Sequence, residues 1–334
     1  MDILSDILQN SQISDDSIER ERDVILREMQ EVESTTEEVI FEHLHSIAFQ
    51  ETSHALSILG PEENIKSLKR SDMLDYIKTH YTAPRMVLAA AGRVNHDELV
   101  RLAEEKFGGL SAEVHGQSAL TPAFTGSMVT IRNDEMPLAH VAVAFEGVGY
   151  SDPDYFVFLV MQSLLGSWDR NIGGGKNLIS PLSETVSHEG LAHSYMAFHT
   201  PYQKTGLFGV YATGPGDKLD HLSHAMLYEI TRLAHGTTSA EVERARNKLK
   251  ATTLMVLDNS SAVCEDIGRQ LLTLSRRLTP AEIFMRIDMI TADEVKRVAQ
   301  EYLWDNEIAV AAMGPTSNLP DYNVLRGWTY WNRV

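Results

Sequence analysis

Hydrophobic residues in the second half of the chain fall into short runs that are separated by polar and glycine-containing turns. Short apolar or alternating runs predict strands, whereas longer segments with an apolar residue every three or four positions predict helices. Neighbouring strands come together and the helices follow mostly as a run, which indicates an α+β fold rather than strict βαβ alternation. Strands are expected at 128–133, 138–146, 191–200, 205–214 and 308–313, and helices at 152–165, 217–234, 239–257, 262–276 and 291–303.

The chain contains an internal repeat. Residues 18–22 match residues 242–246 at an offset of 224, and each segment opens a long helical pattern. A helix followed by a predicted strand at 86–92 matches the last helix and strand of the chain, and the glycines that end the two strands, Gly92 and Gly314, are 222 residues apart. Two matches in the same order at nearly the same offset indicate two related halves.

The repeat predicts the domain organisation. The second copy begins near residue 127, so a first copy of equal length would begin about 95 positions before residue 1. We therefore expect 1–110 to be the C-terminal part of a first domain, 111–126 to be a linker, and 127–334 to be a complete second domain. In the alternative, the first domain is simply shorter. Each domain is expected to be one sheet with helices packed on one face.

The charge balance excludes several classes of function. The chain has 29 lysines and arginines against 47 acidic residues, and its net charge of −18 disfavours binding to nucleic acid or anionic lipid but leaves room for a basic partner. No apolar run approaches the ~20 residues that a membrane helix needs, so no transmembrane segment is expected. The one cysteine, Cys264, cannot form an internal disulfide or a thiolate metal cluster, and it is expected to be a small buried residue.

Acidic residues concentrate between positions 15 and 42, where eleven acids accompany three bases. Some of them are ordinary helix caps. Glu21 and Glu28 are different, because they are seven positions apart and share one face of a predicted helix with the apolar residues Val24 and Ile25. A carboxylate on a buried stripe must be paired, hydrogen-bonded or metal-bound. The pattern favours an ion pair or hydrogen bond, with a metal ligand as the alternative.

Glu38 and Glu42 form a second acidic pair, four positions apart on the next predicted helix. Two like charges at this spacing repel each other mildly instead of supporting the helix. Such a pair suits a bidentate cation such as an arginine guanidinium. The alternative is a solvated acidic face without a binding function.

Two segments imitate well-known motifs without matching them. His188 and His193 resemble the histidines of a His-Glu-x-x-His zinc helix, but the second histidine comes one residue too late to lie on the same helix face. The glycine-rich segment 173–177 lacks the earlier glycine and the following serine or threonine of a phosphate loop. We interpret it as a flexible surface loop or a loop that faces substrate. His43 and His45 point to opposite sides of a predicted helix and are expected to be structural or surface residues.

Longer segments carry a resemblance that runs along essentially the whole chain, namely 21–32, 37–45, 59–61, 205–209, 265–271 and 329–331. On these segments the sequence resembles the pitrilysin-type inverzincin metallopeptidases, and within them the β subunits of mitochondrial processing peptidases, whose plant-like members also serve as core subunits of respiratory complex III. The resemblance implies two homologous domains of the pitrilysin type, the first of them incomplete in this sequence.

The resemblance also implies roles for individual residues. In that family, zinc is held by the two histidines of a His-x-x-Glu-His motif and by a distant glutamate, whose place is taken here by Glu28. Glu21 falls on an acid that supports the zinc site from outside the ligand set. Glu38 and Glu42 fall on the acids that recognise an arginine just upstream of the cleaved bond, although the family usually has aspartate in place of Glu42. Thr252 replaces Glu28 in the second repeat, which fits a non-catalytic domain.

The function implied by the resemblance is zinc-dependent removal of N-terminal presequences from imported precursors. Its partners would be a processing peptidase α subunit and basic presequence peptides, in the mitochondrial matrix or at the matrix face of the inner membrane. The chain contains no His-x-x-Glu-His motif, and one glutamate cannot hold a catalytic zinc. This chain alone is therefore expected to be inactive. The alternative function is that of a non-catalytic core subunit of respiratory complex III.

Overall fold

The computed structural model describes residues 1–113, 122–174, 178 and 180–330, which form fourteen α-helices and six β-strands. The helices are α1 (Asp2–Gln9), α2 (Asp15–Ser34), α3 (Thr36–Ala48), α4 (Glu62–Ser67), α5 (Arg70–His80), α6 (His96–Phe107), α7 (Tyr155–Leu165), α8 (Pro181–Glu189), α9 (Leu219–Arg232), α10 (Ser239–Val256), α11 (Ser260–Leu274), α12 (Pro280–Asp288), α13 (Ala292–Tyr302) and α14 (Tyr322–Gly327). The strands are β1 (Ser127–Arg132), β2 (Ala139–Gly147), β3 (Ser167–Asp169), β4 (Ser194–Pro201), β5 (Gly206–Gly214) and β6 (Ala309–Gly314). Across these ranges, no helix has both the length and the apolar character that a membrane span requires.

The chain divides into two compact units. The first comprises Met1–Ser34, Ser57–Leu120 and Val256–Arg277, and the second comprises Thr35–Leu56, Thr121–Met255 and Leu278–Val334. Each unit therefore contains one helix from the other half of the sequence, because α3 belongs to the second unit and α11 to the first. The units follow contacts rather than the sequence repeat, so the domain boundaries at 110 and 127 stay a prediction.

A six-stranded mixed sheet forms the centre of the second unit, in the order β1-β6-β2-β5-β4-β3. Strands β1 and β6 are parallel, and the other neighbouring pairs are antiparallel. The five strands predicted in this half are confirmed to within a few residues. The sequence pattern misses the edge strand β3, which has three residues, and the short helices α8, α12 and α14. Elements this short contain too few periods for an apolar pattern to stand out.

Alternation of large and small residues along the central strands gives the sheet two different faces. Val141, Val143 and Phe145 of β2 belong to the main core, which also contains the buried residues of α7, α9 and α13. Ala142 and Ala144 point to the opposite face and pack with the buried residues of α3. Small side chains on that face allow a helix to approach the sheet closely. The helices of residues 127–334 that reach a core pack on one face, as expected for one repeat, and the other face is covered by α3, which comes from the first half of the sequence.

The described residues of the first unit contain the helices α1, α2, α4, α5, α6 and α11, joined by irregular segments, and no strand. The strand predicted at 86–92 is not formed. Met86 has extended backbone angles, with φ −115° and ψ 142°, but no neighbouring strand among the described residues pairs with this segment, and a strand needs a hydrogen-bonded ladder. The Ala89 carbonyl instead accepts a hydrogen bond from Cys264 Sγ of α11 at 3.3 Å. Cys264 is half-buried rather than buried.

Candidate functional site

Helix α2 carries the first pair of candidate residues, Glu21 and Glu28. Two acids in its first turn favour the helix by complementing the helix dipole. Seven residues separate Glu21 from Glu28, which places their carboxylates on one side of the helix, about 10 Å apart along its axis. Both residues are exposed. Ile18 is the one residue of α2 that is buried, and Val24 is 45% exposed. The expectation that Glu21 and Glu28 lie on a buried stripe is therefore wrong.

The favoured ion pair or hydrogen bond to these two carboxylates is also not found. Arg22, the arginine next to Glu21, donates its guanidinium N–H groups to the backbone carbonyls of Ile65 and Leu68, which fixes α2 to the segment around α4. Among the described residues, neither Glu21 nor Glu28 has a hydrogen-bond or ion-pair partner. Because both carboxylates are exposed to solvent, water hydrates them and neither needs a partner within the protein.

The described residues do not form a complete zinc site. No three histidine, cysteine, aspartate or glutamate side chains within them converge as metal ligands. The Glu28 carboxylate is a chemically suitable oxygen donor for zinc, but it is a single donor, and a catalytic zinc needs three protein ligands plus a water. Thr252, the counterpart of Glu28 in the second repeat, directs its hydroxyl to the Lys248 carbonyl of its own helix at 3.0 Å. No hydrolytic step can therefore be derived from these residues alone.

Helix α3 carries the second pair, Glu38 and Glu42, and its position is well determined. Ile40, Leu44 and Ala48 recur at four-residue spacing and are fully buried against the sheet of the second unit. Glu38 and Glu42 are exposed. The helix thus has an apolar face that is fixed to a rigid sheet and an acidic face that is open to solvent.

The C-terminal half of α3 is held by a polar contact with the loop between β4 and β5. His45 Nδ1–H donates to the Phe41 carbonyl at 2.6 Å, so Nε2 is the acceptor for the Tyr202 hydroxyl, at 2.7 Å. Burial lowers the pKa of His45 and keeps the ring neutral, as this pair of hydrogen bonds requires. The rings of Phe49 and His54 pack edge-on or tilted around the same cluster. His45 is therefore structural, as predicted.

The acidic face of α3 has the geometry to bind a cation. Residues four apart on a helix have Cβ atoms about 6 Å apart, so the carboxylates of Glu38 and Glu42 can converge on one guanidinium. Neither carboxylate belongs to a cluster of metal ligands within the described residues. The arrangement suits recognition of a basic side chain.

Sequence reasoning did not find Tyr202 as a residue that positions α3. Its partner His45 is 157 positions away, and no local pattern signals a hydrogen bond over that distance. His188 and His193 do not share a helix face, as predicted. Helix α8 ends at Glu189, so His188 lies in its last turn and His193 lies beyond it. Of the glycine-rich segment, 175–177 lie outside the described residues.

Comparison with known proteins agrees with this architecture. Residues 67–249 match the family described as "Peptidase M16 inactive domain", and residues 1–62 match "Insulinase (Peptidase family M16)". The chain also superposes on a chain from the structure "Complex III2 from Candida albicans, Inz-5 bound" with a TM-score of 0.88 and 28% identity, covering 98% of this chain and 77% of that one.

Relatives are similar along the full chain. The chain is 53% identical to the "Probable mitochondrial-processing peptidase subunit beta, mitochondrial" of Arabidopsis thaliana, over 100% of this chain and 64% of that protein. It is 49% identical to the "Mitochondrial-processing peptidase subunit beta" of Lentinula edodes, over 98% and 72% respectively, and 47% identical to that of Homo sapiens, over 100% and 68%. The chain thus spans about two thirds of the length of these relatives. With these matches, the chain belongs to the M16 family of metallopeptidases.

Proposed function

We propose that this chain acts in presequence processing as a β subunit of a mitochondrial processing peptidase, a two-subunit enzyme that removes N-terminal presequences from imported precursors, and that its own residues supply presequence recognition rather than a complete zinc site. The observation that carries the proposal is the exposed acidic face of α3, where Glu38 and Glu42 stand on a helix whose other face is buried against the sheet. Relatives at 47–53% identity that are named as such β subunits support it. The location that fits is the mitochondrial matrix or the matrix face of the inner membrane.

In this proposal, Glu38 and Glu42 recognise an arginine of a basic presequence. Two carboxylates on a fixed helix form charge-assisted hydrogen bonds with a planar guanidinium, and only their side chains, not the helix backbone, must be ordered on binding. The net charge of −18 adds a long-range attraction that brings a cationic peptide to the surface. Specificity comes from the two local carboxylates, whereas the overall charge acts on any cationic peptide.

The test compares two peptides on three proteins. One peptide is a presequence mimic with a single arginine, and the other carries citrulline there, which keeps the shape but removes the charge. The double variant Glu38→Gln/Glu42→Gln should bind the arginine peptide roughly tenfold more weakly, a change of about 1.4 kcal/mol. Its affinity for the citrulline peptide should equal that of the unaltered protein. Glu135→Gln, an exposed acid on the same unit, is the matched control. Equal losses in the double variant and the control would refute the recognition role.

The proposal assigns Glu28 as one zinc ligand and Glu21 as a supporting acid beside it. When bound, zinc would activate a water for peptide hydrolysis, but the histidine pair of the family is not present in this sequence. We therefore expect the purified chain to lose zinc on dialysis and to leave presequence peptides uncut, with or without an added α subunit. Elemental analysis and mass spectrometry of the peptides measure the two outcomes. One tightly held zinc per chain, together with cleavage, would overturn this part of the proposal.

A second candidate function is that of a non-catalytic core subunit of respiratory complex III. The superposition on a chain of complex III2, with a TM-score of 0.88 over 98% of this chain, favours it. Native gel electrophoresis of mitochondria followed by mass spectrometry, combined with the peptide-binding test above, separates the two candidates. Migration with complex III and no arginine-dependent binding of the presequence peptide supports the non-catalytic core subunit, whereas arginine-dependent binding supports the peptidase subunit whichever complex the chain migrates with.

A further inference from the structure

A cavity of about 310 Å³ lies at the β3 edge of the sheet, in the second unit, and is separate from α2 and α3. Its lining includes Trp168, Arg170, Gly174, Ser187 and His193. Neither the proposed peptide-binding residues nor the proposed zinc ligand contributes to it. Its residues combine a permanent cation, an imidazole, a hydroxyl group and glycine backbone, which is a set of groups that binds oxyanions.

Two basic side chains lie next to each other in this cavity. Strands β3 and β4 are antiparallel, with Asp169 opposite Ser194. One position further, the Arg170 backbone N–H donates to the His193 carbonyl at 2.8 Å. This bond brings Arg170 and His193 side by side where the ladder ends, and both residues line the cavity. Within the described part of the chain, the Arg170 guanidinium has no hydrogen-bond or ion-pair partner.

The opposite wall brings a hydroxyl group close to the peptide backbone. A Cβ at position 174 would collide with Ser187 Oγ, so Gly174 is the residue that allows this close approach. The Trp168 indole N–H donates to the Gly173 carbonyl at 2.8 Å and fixes the chain that leads to Gly174. Because Trp168 is itself buried, it holds this wall of the cavity in one position.

Two cationic side chains lie around the cavity. Helix α8 ends beside it, and the carbonyls at a helix C-terminus carry partial negative charge. The Lys218 ammonium offsets this charge, because it donates to the carbonyls of Glu189 at 2.8 Å and of Gly190 at 3.2 Å. The neighbouring Asp169 carboxylate accepts the Asn171 backbone N–H at 2.8 Å and forms no ion pair with Arg170. A guanidinium without an ion-pair partner in a concave site can bind an anionic ligand.

We propose that this cavity binds a small oxyanion, either phosphate or carboxylate, through Arg170, Ser187 and His193. The guanidinium supplies two parallel N–H donors to two oxygens of the ligand, and the serine hydroxyl and the imidazole supply donors to the others. The ligand is a free solute or the anionic group of a small metabolite, because a volume of about 310 Å³ holds a molecule of that size.

Isothermal titration calorimetry of the full chain tests the proposal with three probes, namely inorganic phosphate, AMP and citrate. Arg170→Gln should weaken the binding of the preferred probe roughly tenfold or more, because it removes the paired charge-assisted donors. Arg93→Gln is the matched control, since Arg93 is also exposed and lies in the other unit. It should leave the affinity unchanged. Comparing the three probes tells whether the ligand is phosphate itself, a phosphate-bearing metabolite or a carboxylate.

Two results would overturn the proposal. One is the absence of saturable binding of every probe up to about 10 mM, a concentration at which even an affinity near 4 kcal/mol is detected. The other is equal loss of affinity in Arg170→Gln and Arg93→Gln, which would mean that binding reflects general charge. Ser187→Ala provides a second variant, and it should weaken binding by a smaller factor than Arg170→Gln. Thermal unfolding of each variant verifies that the fold is retained.

Discussion

Leu44 fixes the acidic helix α3 to the sheet, and its truncation to alanine tests that packing. The leucine side chain is fully buried in a small core between α3 and one face of the sheet. Its surroundings include Ala142, Ala144 and Ala311, which lie on the strands beneath the helix. Alanine side chains have no rotamers through which they could fill a gap. The Leu44→Ala cavity is therefore expected to stay open.

The expected cost follows from this geometry. Leucine-to-alanine substitutions in cores cost about 2–5 kcal/mol, with the larger values at sites that cannot relax. Leu44 belongs in the middle or upper part of that range, at about 3–4 kcal/mol. With a urea dependence of about 2 kcal/mol per molar, the unfolding midpoint should fall by roughly 1.5–2 M. A change of this size is well above the error of the measurement.

Tryptophan fluorescence during urea unfolding is the appropriate assay. All four tryptophans lie at 168, 304, 328 and 331, so the signal reports on the second unit. Leu56→Ala is the matched control, because Leu56 belongs to the same unit but is 74% exposed. An exposed substitution of this kind changes the free energy of unfolding by no more than about 0.5 kcal/mol.

A particular outcome would refute the reasoning about α3. If Leu44→Ala and Leu56→Ala lowered the urea midpoint by the same small amount, the packing of α3 on the sheet would contribute nothing to the stability of the second unit. Glu38 and Glu42 would then have no fixed support, and the proposal that they form a preorganised arginine site would lose its physical basis.

Three further changes test other parts of the second unit. Burial lowers the pKa of His199 from 6.5 to about 4, so on acidification the unfolded chain binds a proton at this histidine before the folded chain does. The contribution of neutral His199 to the free energy of unfolding is therefore complete above pH 6.5 and falls by about 3 kcal/mol at most as the pH is lowered to 4. His199→Gln should flatten the pH dependence of the free energy of unfolding in this window, and an unchanged slope would contradict the assignment. Tyr202→Phe removes the hydroxyl that donates to His45 and should lower the free energy of unfolding by about 1 kcal/mol. An unaltered urea midpoint would show that this hydrogen bond makes no net contribution to stability. Gly209→Ala places a Cβ against a backbone carbonyl of β2 and should cost about 2–3 kcal/mol; Gly109→Ala, where the space is open, is the control for thermal unfolding, and similar melting temperatures would count against the close approach.

The sheet of the second unit could be predicted because its pattern is local. Its long strands contain enough residues for an alternation to be visible, and β2 and β5 pair over nine positions. The same alternation encodes the two faces, since valine and phenylalanine point to one core and alanine to the other. The sequence predicts the strands but not the helix that packs on the second face, because a row of alanines does not specify which helix will pack against it.

The errors in the first unit have a different physical cause. The segment 86–92 has the composition of a strand, but strand formation depends on a hydrogen-bonded neighbour, and no described residue supplies one. Glu21 and Glu28 share a helix face with Val24, as the spacing indicates, yet that face is open. Periodicity identifies which residues share a face of an element. Whether the face is buried depends on which other element packs against it, and periodicity carries no information about that element.

The placement of α3 shows how this limit affects the candidate sites. The apolar residues of α3 recur at helical spacing whichever sheet they meet, so the sequence alone assigns the helix to the first half of the chain. Its contacts assign it to the second unit, because that sheet offers a face of alanines at Ala142, Ala144 and their neighbours. Glu38 and Glu42 therefore depend on the stability of the second unit, whereas Glu21 and Glu28 belong to the first. Substitutions that destabilise the second unit, such as Leu44→Ala, should consequently impair arginine binding before they affect any contribution of Glu28 to a metal.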